Sequence, residues 1–435
     1  MQRNDRIVYT ALLGGFFLSA LLWAYMIPFN DAPDEGMRYT ICQYIYRHGT
    51  LPRGDAAEIR NSIWGLSYGF TPILSYMVGA VFMKAGNLIA GEAGLAIAAR
   101  LVSVLFSVGT AYYTMRIARR IWPEPYAKIL TVIVIFLPQF IFISSYVNND
   151  AMGIFTVAWT IFNMLDARDK KWSCKSCCVL GVSIGVCLLS YYNCYGVILI
   201  ALLYSVVMVF QDCTIDNKGR FILIRVVWVA AAAFVVAGWW FIRNAILYDG
   251  DFSGLRASQA CGEQYAQDGY KPSQRDTPHN MGQSLKQMLV DRQWLYYSFR
   301  SYIAGFGYQT LWLPDGMYAW MGGLCGIGLA GNFVKAKQDI FKGGGKRCFY
   351  LCMVLMCLIT IGLSMYYSFF VDMQAQGRYC LPMCIPLGIL VVGGWQKLSS
   401  RFPRPLQSLA MAALLITFEY CALYSSVEVI LAAYW

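Results

Sequence analysis

Two adjacent carboxylates, Asp34 and Glu35, follow the first long apolar stretch of the chain by seven and eight residues. That stretch, residues 7–27, is 21 residues without a charge, which is long enough to cross a bilayer as a helix. Pro33 precedes the pair, and Arg38 follows Asp34 at helical spacing. Acids in this position can bind a cation, accept a proton from a nucleophile, or lie solvated in a loop.

A second polar group, Asn148, Asn149 and Asp150, separates two later apolar stretches. One Asn or Asp is the ordinary N-cap of a helix, but three in a row exceed what one cap requires. Their side-chain oxygens are of the kind that Mg²⁺ and Mn²⁺ prefer.

Two arginines also lie at the ends of apolar stretches: Arg243, followed by Asn244, and Arg378, between Gln376 and Tyr379. One arginine that extends from a helix end to the membrane surface is ordinary. Two of them at one face predict a binding site for phosphate, because a guanidinium can bind its oxygens through two parallel hydrogen bonds.

The composition is that of a polytopic membrane protein. Of 435 residues, 58% are hydrophobic and 14% charged, whereas soluble proteins have about a quarter charged residues. The net charge of +11 is typical of basic cytoplasmic loops and does not indicate a nucleic-acid partner. With two histidines, and without a P-loop or dinucleotide fingerprint, the sequence disfavours zinc hydrolysis and ATP-driven transport. The 15 cysteines lie mostly in apolar stretches and predict no disulfide framework.

Apolar stretches continue along the whole chain and predict an all-α fold. After the first, they lie near 70–90, 92–117, 127–146, 151–166, 174–191, 195–211, 221–247, 312–333, 348–370, 380–397 and 406–430. If all of them crossed the membrane, the basic connectors between them would lie on the opposite side from Arg3 and Arg6. Basic connectors stay in the cytoplasm, as do basic residues before a first helix, so the charge pattern favours a topology in which one stretch does not cross over the alternative in which all of them do.

The 70–90 stretch is the weakest candidate for a straight span, because it contains Pro72, Gly79, Lys84 and Gly86. If it lies along the surface or re-enters, the inner segments have 21 Lys and Arg against 7 Asp and Glu, and the outer segments have 14 against 17. The sequence therefore predicts about eleven spanning helices, with the N-terminus inside and the C-terminus outside.

The same topology places two long segments, 28–91 and 249–310, outside a single transmembrane domain that comprises residues 1–435. The first has room for short juxtamembrane helices, and the second is too irregular for an independent domain. All the acids, amides and arginines named above then share the outer face. A phosphate-bearing lipid fits this constellation, with its tail between helices and its headgroup at the loops.

The order of several short motifs resembles that of the GT-C glycosyltransferases. These membrane enzymes include protein O-mannosyltransferases, the lipid A aminoarabinose transferase and oligosaccharyltransferases. The Pro-Asp-Glu loop after a first helix is similar to their first external loop. Within the superfamily, the chain most closely resembles a bacterial branch. The motifs are each weak alone and specific in their order: 33–38, 48–52, 145–150, 240–244, 298–299, 305–307 and 376–382.

The resemblance implies an inverting sugar transfer from a polyprenyl-phosphate sugar to a cell-envelope glycan or glycolipid, outside the plasma membrane. Asp34 would accept the proton of the attacking hydroxyl, with Glu35 as the supporting acid. Arg243 and Arg378 would stabilise the phosphate leaving group. Glu35 and Asp150 are the implied ligands of an optional Mg²⁺ or Mn²⁺. The other implied substrate-binding residues are Arg38, Asn148, Asn149, Asn244, Gln376 and Tyr379.

Two other functions fit outer-face arginines in a membrane protein. A flippase for a lipid-linked sugar should place ionisable residues near the bilayer midplane. The interiors of the apolar stretches in this chain are nearly free of such residues, with Glu419 as a lone exception. A glycan polymerase or ligase would use a lipid-diphosphate donor, so a comparison of mono- and diphosphate donors separates it from the leading hypothesis.

The chain departs from the family at one motif position, because many relatives have histidine where Arg38 stands. Nothing in the sequence implies a peptide acceptor.

Overall fold

The computed structural model describes residues 3–337 and 340–435, and it confirms the predicted all-α fold. Within these residues, β pairing is limited to an isolated bridge between Phe306 and Leu311. The first half of the chain forms α1 (Arg3–Met26), α2 (Glu35–His48), α3 (Leu74–Ala90), α4 (Leu95–Ile121), α5 (Tyr126–Ile135), α6 (Pro138–Ile143), α7 (Asp150–Asp169), α8 (Cys174–Leu188), α9 (Gly196–Gln211) and α10 (Lys218–Leu247). The second half forms α11 (Leu255–Tyr265), α12 (Trp294–Ile303), α13 (Asp315–Ala330), α14 (Lys346–Phe370), α15 (Cys384–Ser399), α16 (Arg404–Tyr424) and α17 (Ala432–Tyr434).

Polar contacts sort the helix ends into two faces. At one, which we call the loop face, Arg100 near the start of α4 donates to the carbonyl oxygens of Ala24 and Ile27 at the end of α1. At the other, the basic face, Lys128 of α5 pairs with Asp5 of α1 at 2.7 Å. Helices that run back and forth between two faces are the architecture of a multi-pass membrane protein.

Seven helical stretches among the described residues are long and apolar enough to cross a bilayer. They are Arg3–Met26, Leu74–Ile121, Tyr192–Gln211, Lys218–Leu247, Lys346–Phe370, Gly377–Ser399 and Arg404–Tyr434. Shorter apolar helices, α5 and α8 among them, lie between these. The chain is therefore polytopic, and the number of eleven spans stays a prediction.

The 70–90 stretch forms α3, and both ends of this helix contact the loop face. The backbone N–H of Leu74 donates to the carbonyl oxygen of Leu189, at the end of α8, at 3.2 Å. Near its other end, Gly86 lies directly against Ala98 in the first turn of α4. Between these two points α3 packs on α2. These contacts favour the predicted arrangement, in which the 70–90 stretch lies along one face.

The two long segments, 28–91 and 249–310, pack on each other at the loop face. The backbone N–H of Gln267 donates to the carbonyl oxygen of Ile63 at 3.0 Å. The thiol of Cys261 donates to the carbonyl oxygen of Gly65 at 3.3 Å. The two segments form a polar layer over the helix ends, and the turn with Asp34 and Glu35 lies in the segment 28–91.

Candidate active site

Asp34 lies in the turn that leads into α2, in a backbone conformation that residues other than glycine rarely adopt. Its φ of 64° and ψ of 7° are in the left-handed region, where Asp and Asn are the best tolerated of the other residues. Ala32 and Pro33 are buried and fix the turn against the core. The side chain of Asp34 is 28% exposed, whereas that of Glu35 is fully buried. The turn thus presents Asp34, and not its neighbour, at an accessible surface.

Two buried arginines approach the Asp34 carboxylate from different elements. Arg378, in the 3₁₀ turn Gly377–Met383 before α15, donates from Nη2 to Oδ2 of Asp34 at 2.7 Å. Arg38, one turn along α2, has its Nη2 3.9 Å from the same oxygen and donates from Nη1 to Oδ2 of Asp150 at 2.9 Å. We call these four residues the charge cluster. The sequence predicted all four on one face, and the structure places them in contact.

Several buried polar atoms around the charge cluster have no hydrogen-bond partner among the described residues. They are Nε of Arg38, Nε of Arg378, Oδ1 of Asp150, Oδ1 of Asn149 and the hydroxyl of Tyr76. Tyr76 lies near Arg38, and the Tyr146 hydroxyl lies within hydrogen-bonding reach of Arg378. Because buried polar groups are nearly always hydrogen-bonded, this concentration makes the charge cluster the candidate binding site for a polar molecule.

Aromatic rings cover both arginines of the charge cluster. The guanidinium carbon of Arg38 is 4.9 Å from the centroid of the Tyr68 ring, and that of Arg378 is 4.9 Å from the Tyr379 ring. The Tyr379 hydroxyl also accepts from Nη2 of Arg378 at 2.9 Å. Tyr379 was a predicted site residue. Tyr68 was missed, because it lies outside every recognised motif, in the short 3₁₀ turn Tyr68–Phe70, and only the fold brings it to the cluster.

The charges of the cluster fix the protonation state of Asp34. Burial opposes its ionisation, but the positive charges of Arg378 and Arg38 outweigh this effect and hold the pKa of Asp34 below its usual range. The carboxylate is therefore ionised at neutral pH, which is the state that a proton acceptor requires. Burial also raises the pKa of the Tyr68 hydroxyl well above its usual range, so that group stays protonated.

Glu35 has a different environment from Asp34. Arg100 donates to both of its carboxylate oxygens at 2.6 Å. The backbone N–H groups of Asn30 and Val147 donate to the same two oxygens at 2.9 and 3.1 Å. Glu35 thus connects the turn after α1, the start of α4 and the segment before α7. With four donors on a fully buried carboxylate, its contacts are those of a structural residue.

The predicted pair of metal ligands, Glu35 and Asp150, is not assembled. Arg100 occupies both oxygens of Glu35. One oxygen of Asp150 is bound by Arg38, whose guanidinium also reaches toward Asp34. Among the described residues, no group of three or more His, Cys, Asp and Glu side chains is arranged to hold a metal ion. The residues present therefore do not fit a divalent ion at this pair, since each carboxylate already binds its own guanidinium, Arg100 at Glu35 and Arg38 at Asp150.

The two predicted amides before α7 differ in what their side chains bind. Nδ2 of Asn148 donates to two backbone carbonyls of the preceding turn, and its Oδ1 accepts from the N–H of Ala151 at 2.9 Å. All of its polar atoms are used in shaping the start of α7. Asn149 donates to the carbonyl of Ser190 at 3.3 Å and keeps its Oδ1 free. Only Asn149 therefore has a polar atom available to a substrate.

Among the described residues, the side chains of Gln376, Arg243 and Asn244 form no hydrogen bond or ion pair with the charge cluster. Gln376 is half-buried and begins the turn that contains Arg378. Arg243 donates to the carbonyl of Pro52 at 2.7 Å and to the side chain of Asn244 at 3.4 Å. The structure does not bring Arg243 together with Arg378 into one predicted phosphate site. Its contacts instead join the end of α10 to the first long segment.

An apolar cavity of about 350 Å³ lies beside the turn of Arg378, between α5, α12, α13, α15 and α16. Tyr302 and Cys380 line it at the end near this turn, and Gly377 lies directly against the backbone of Tyr302. Leu329 and Val391 line it toward the basic face. The cavity therefore extends from the neighbourhood of the charge cluster into the part of the molecule that spans the membrane.

A family model described as "Predicted membrane protein (DUF2142)" matches residues 51–387. The matched region contains Asp150, Arg243 and Arg378, and it begins after Asp34. A search of curated proteins finds no match.

Solved structures of glycosyltransferases share the fold. ArnT from Cupriavidus metallidurans, bound to undecaprenyl phosphate, has a TM-score of 0.54 and 14% identity over 95% of this chain and 64% of that chain. The Archaeoglobus fulgidus oligosaccharyltransferase in complex with Zn and sulfate has a TM-score of 0.55 and 13% identity over 95% of this chain and 53% of that chain. The chain spans just under two thirds of the first and about half of the second. These relatives belong to the GT-C superfamily, so the predicted GT-C fold is confirmed.

Proposed function

We propose, from the premise that the chain belongs to the DUF2142 family of predicted membrane proteins, that it is an inverting glycosyltransferase. It moves a sugar from a polyprenyl-phosphate donor to a cell-envelope glycan or glycolipid. One observation carries the proposal: an accessible Asp34 carboxylate lies 2.7 Å from Arg378, among buried polar atoms without partners. A base beside a cation that can bind phosphate is what sugar transfer from a lipid phosphate needs. The undecaprenyl phosphate bound to ArnT supports a polyprenyl-phosphate sugar as the donor.

In the proposed reaction, the acceptor hydroxyl attacks the anomeric carbon on the face opposite the lipid phosphate. Asp34 takes the hydroxyl proton as the new carbon–oxygen bond forms, and the bond from the anomeric carbon to the phosphate oxygen breaks. The electron pair of that bond stays on the lipid phosphate, where the free Nε of Arg378 donates a hydrogen bond to the growing charge. Because Arg378 is then shared with the phosphate, it stabilises the Asp34 carboxylate less, and Asp34 becomes a stronger base when the donor is bound.

The charge balance of the cluster favours a monophosphate donor. Arg38 and Arg378 are matched by Asp34 and Asp150, so the cluster has no excess positive charge before the donor binds. A sugar phosphodiester adds one negative charge, whereas a diphosphate donor adds two. A polymerase or ligase that uses a lipid diphosphate would need a further cation, and Arg243 lies outside the cluster.

The apolar cavity supports a lipid-linked donor. It begins beside the turn of Arg378 and is lined almost entirely by apolar side chains. A polyprenyl chain whose phosphate is bound at Arg378 would therefore enter the cavity within its first isoprene units. We propose that the loop face is extracytoplasmic in the plasma membrane, with the N-terminus in the cytoplasm, because basic connectors such as those with Arg119, Lys170 and Lys175 lie at the other face.

The test is turnover by the purified protein in proteoliposomes with a polyprenyl-phosphate sugar and cell-envelope glycan acceptors. Asp34→Asn should lower turnover by about 10²–10⁴-fold, the range for loss of a general base. Asn tolerates the left-handed turn as Asp does, so the change isolates the charge. Asp55→Asn is the matched control, because Asp55 is an exposed acid of the same segment that pairs with Arg53.

Near-normal turnover in Asp34→Asn would refute the assignment of the base. Movement of the donor across sealed vesicles without sugar transfer would refute the enzyme and favour a flippase. Turnover with a lipid-diphosphate sugar, but not with the monophosphate, would favour the polymerase or ligase.

A further inference from the structure

Arg38 is the central cation of the charge cluster. It lies one helical turn after Asp34, and its side chain is 2% exposed. Its Nη1 is 2.9 Å from Oδ2 of Asp150, and its Nη2 is 3.9 Å from Oδ2 of Asp34. One guanidinium therefore spans the space between two carboxylates that belong to different parts of the chain.

This position is one that a divalent ion would need if it bridged the two carboxylates. An arginine stays protonated at every physiological pH, so its charge there is permanent. The Tyr68 ring lies over the guanidinium at 4.9 Å and limits its movement. A second cation at the same place would face both steric exclusion and like-charge repulsion from Arg38.

We propose that Arg38 is the site's built-in counter-ion: it takes the place of a divalent metal between Asp34 and Asp150 and orients the Asp34 carboxylate. Sugar transfer is then independent of divalent ions. Arg38 is a positioning residue, since it acts through Asp34. The role of Arg38 in sugar transfer rests on the proposed function, but its exclusion of a divalent ion does not.

Metal binding is measured first, by electron paramagnetic resonance of Mn²⁺ added to the purified protein in detergent. The wild type should bind no stoichiometric Mn²⁺ up to about 1 mM, near the weak limit of oxygen-liganded sites. Arg38→Ala leaves two facing carboxylates and should gain one Mn²⁺ site, which Arg38→Ala/Asp150→Asn should lose again. Arg53→Ala, which removes an exposed arginine from its aspartate partner, is the control and should gain none.

Turnover is measured second, with and without a chelator of divalent ions. Wild-type turnover should be the same in both conditions. Arg38→Lys keeps one charge but cannot span both carboxylates, so it should lower kcat more than it raises the KM for the donor. If Arg38→Ala does not fold, the wild type and Arg38→Lys still decide the question.

Three results would overturn the proposal. The first is a wild-type Mn²⁺ site that Asp150→Asn removes, and the second is wild-type turnover that a chelator abolishes and Mn²⁺ restores. The third is a folded Arg38→Ala protein that gains no Mn²⁺ site. If no preparation transfers sugar at all, the proposed function fails, while the Mn²⁺ measurement still tests the role of Arg38.

Discussion

At the scale of single residues, the neighbouring acids Asp34 and Glu35 differ through the backbone between them. The left-handed conformation at Asp34 turns its carboxylate to an accessible surface. Glu35 begins α2 and points inward to Arg100. Non-glycine residues in this conformation cost about 1–3 kcal/mol and concentrate at functional sites. Strain at Asp34, and not at Glu35, is thus consistent with the role proposed for Asp34.

The acid limb of the pH–rate profile should report the charge of Arg378. In the wild type the pKa of Asp34 is depressed, so Asp34 stays ionised down to below about pH 4, the usual value of an aspartate. Arg378→Met removes the nearest positive charge, so burial then dominates and the pKa of Asp34 rises. The residual kcat/KM of the variant should therefore fall off at a higher pH than that of the wild type.

Arg243→Met is the control for this experiment, because Arg243 has no contact with Asp34. Its profile should keep the wild-type acid limb. An unchanged acid limb in Arg378→Met would show that Asp34 is not the group that titrates in the rate.

The sequence identified the charged residues of the cluster better than the groups around them. Asp34, Asp150 and Arg378 were found because charged residues at the ends of apolar stretches are candidates for a functional site. Tyr68 was not found, because a tyrosine at a membrane surface is ordinary and its approach to Arg38 depends on tertiary packing. Glu35 was given a chemical role on the basis of adjacency, and adjacency does not specify which way a side chain points.

At the scale of elements, the sequence predicted that the ends of α10 and α14 share a face, but it did not predict their lateral positions on that face. Charge counts placed Arg243 and Arg378 on one face, but α10 packs against α8, and Arg243 contacts Pro52 instead of the cluster. Sequence patterns assign helix ends to a side of the membrane. They do not say which helices are neighbours within it, because this depends on how side chains pack between helices.

The bond between Glu35 and Arg100 should be among the strongest determinants of stability at the loop face. Arg100→Met leaves a fully buried carboxylate without its partner, which costs about 3–5 kcal/mol. Arg53→Met removes an exposed pair and should cost less than about 1 kcal/mol. Unfolding of the purified variants in detergent measures both. Equal losses of stability would contradict the structural role of Glu35.

The topology of α3 can be tested at Glu92, which is exposed in the short connection between α3 and α4. If α3 lies along the loop face, an impermeant maleimide should label Glu92→Cys in intact cells. Asp55→Cys is the reference for the loop face and Lys171→Cys for the basic face. The exposed Cys174 and Cys213 are first replaced by serine.

Labelling of Glu92→Cys only after permeabilisation, together with Lys171→Cys, would mean that α3 crosses the membrane. It would also change the number of spans from the predicted eleven.

At the scale of the whole molecule, the charge cluster and the apolar cavity meet at the turn of Arg378. The sequence indicated a lipid tail between helices, but the cavity's position could not be predicted from it. At Gly326 of α13 the cavity is open, because a Cβ added there would meet no atom within 4 Å, whereas at Gly322, one turn earlier, it would lie 2.6 Å from the Phe299 ring of α12. A glycine in an apolar helix gives no sign of whether it permits close packing or leaves a void.

Filling this cavity should affect long-chain donors selectively. Gly326 lines the cavity, and a Cβ added there meets no atom within 4 Å. Gly326→Leu should therefore fold and occupy the space proposed for the polyprenyl chain. It should raise the KM for a long polyprenyl-phosphate sugar about tenfold, the effect of roughly 1.4 kcal/mol of lost binding, and leave a short-chain analogue unchanged.

Gly323→Leu is the matched control on the same helix, because an added Cβ is equally unobstructed there and Gly323 does not line the cavity. The Gly323 variant should keep the wild-type KM for both donors. Equal KM increases for long and short donors in Gly326→Leu would mean that the substitution acts on the charge cluster. An unchanged KM for the long donor would mean that the polyprenyl chain takes another path, along the lipid-facing surface of the protein.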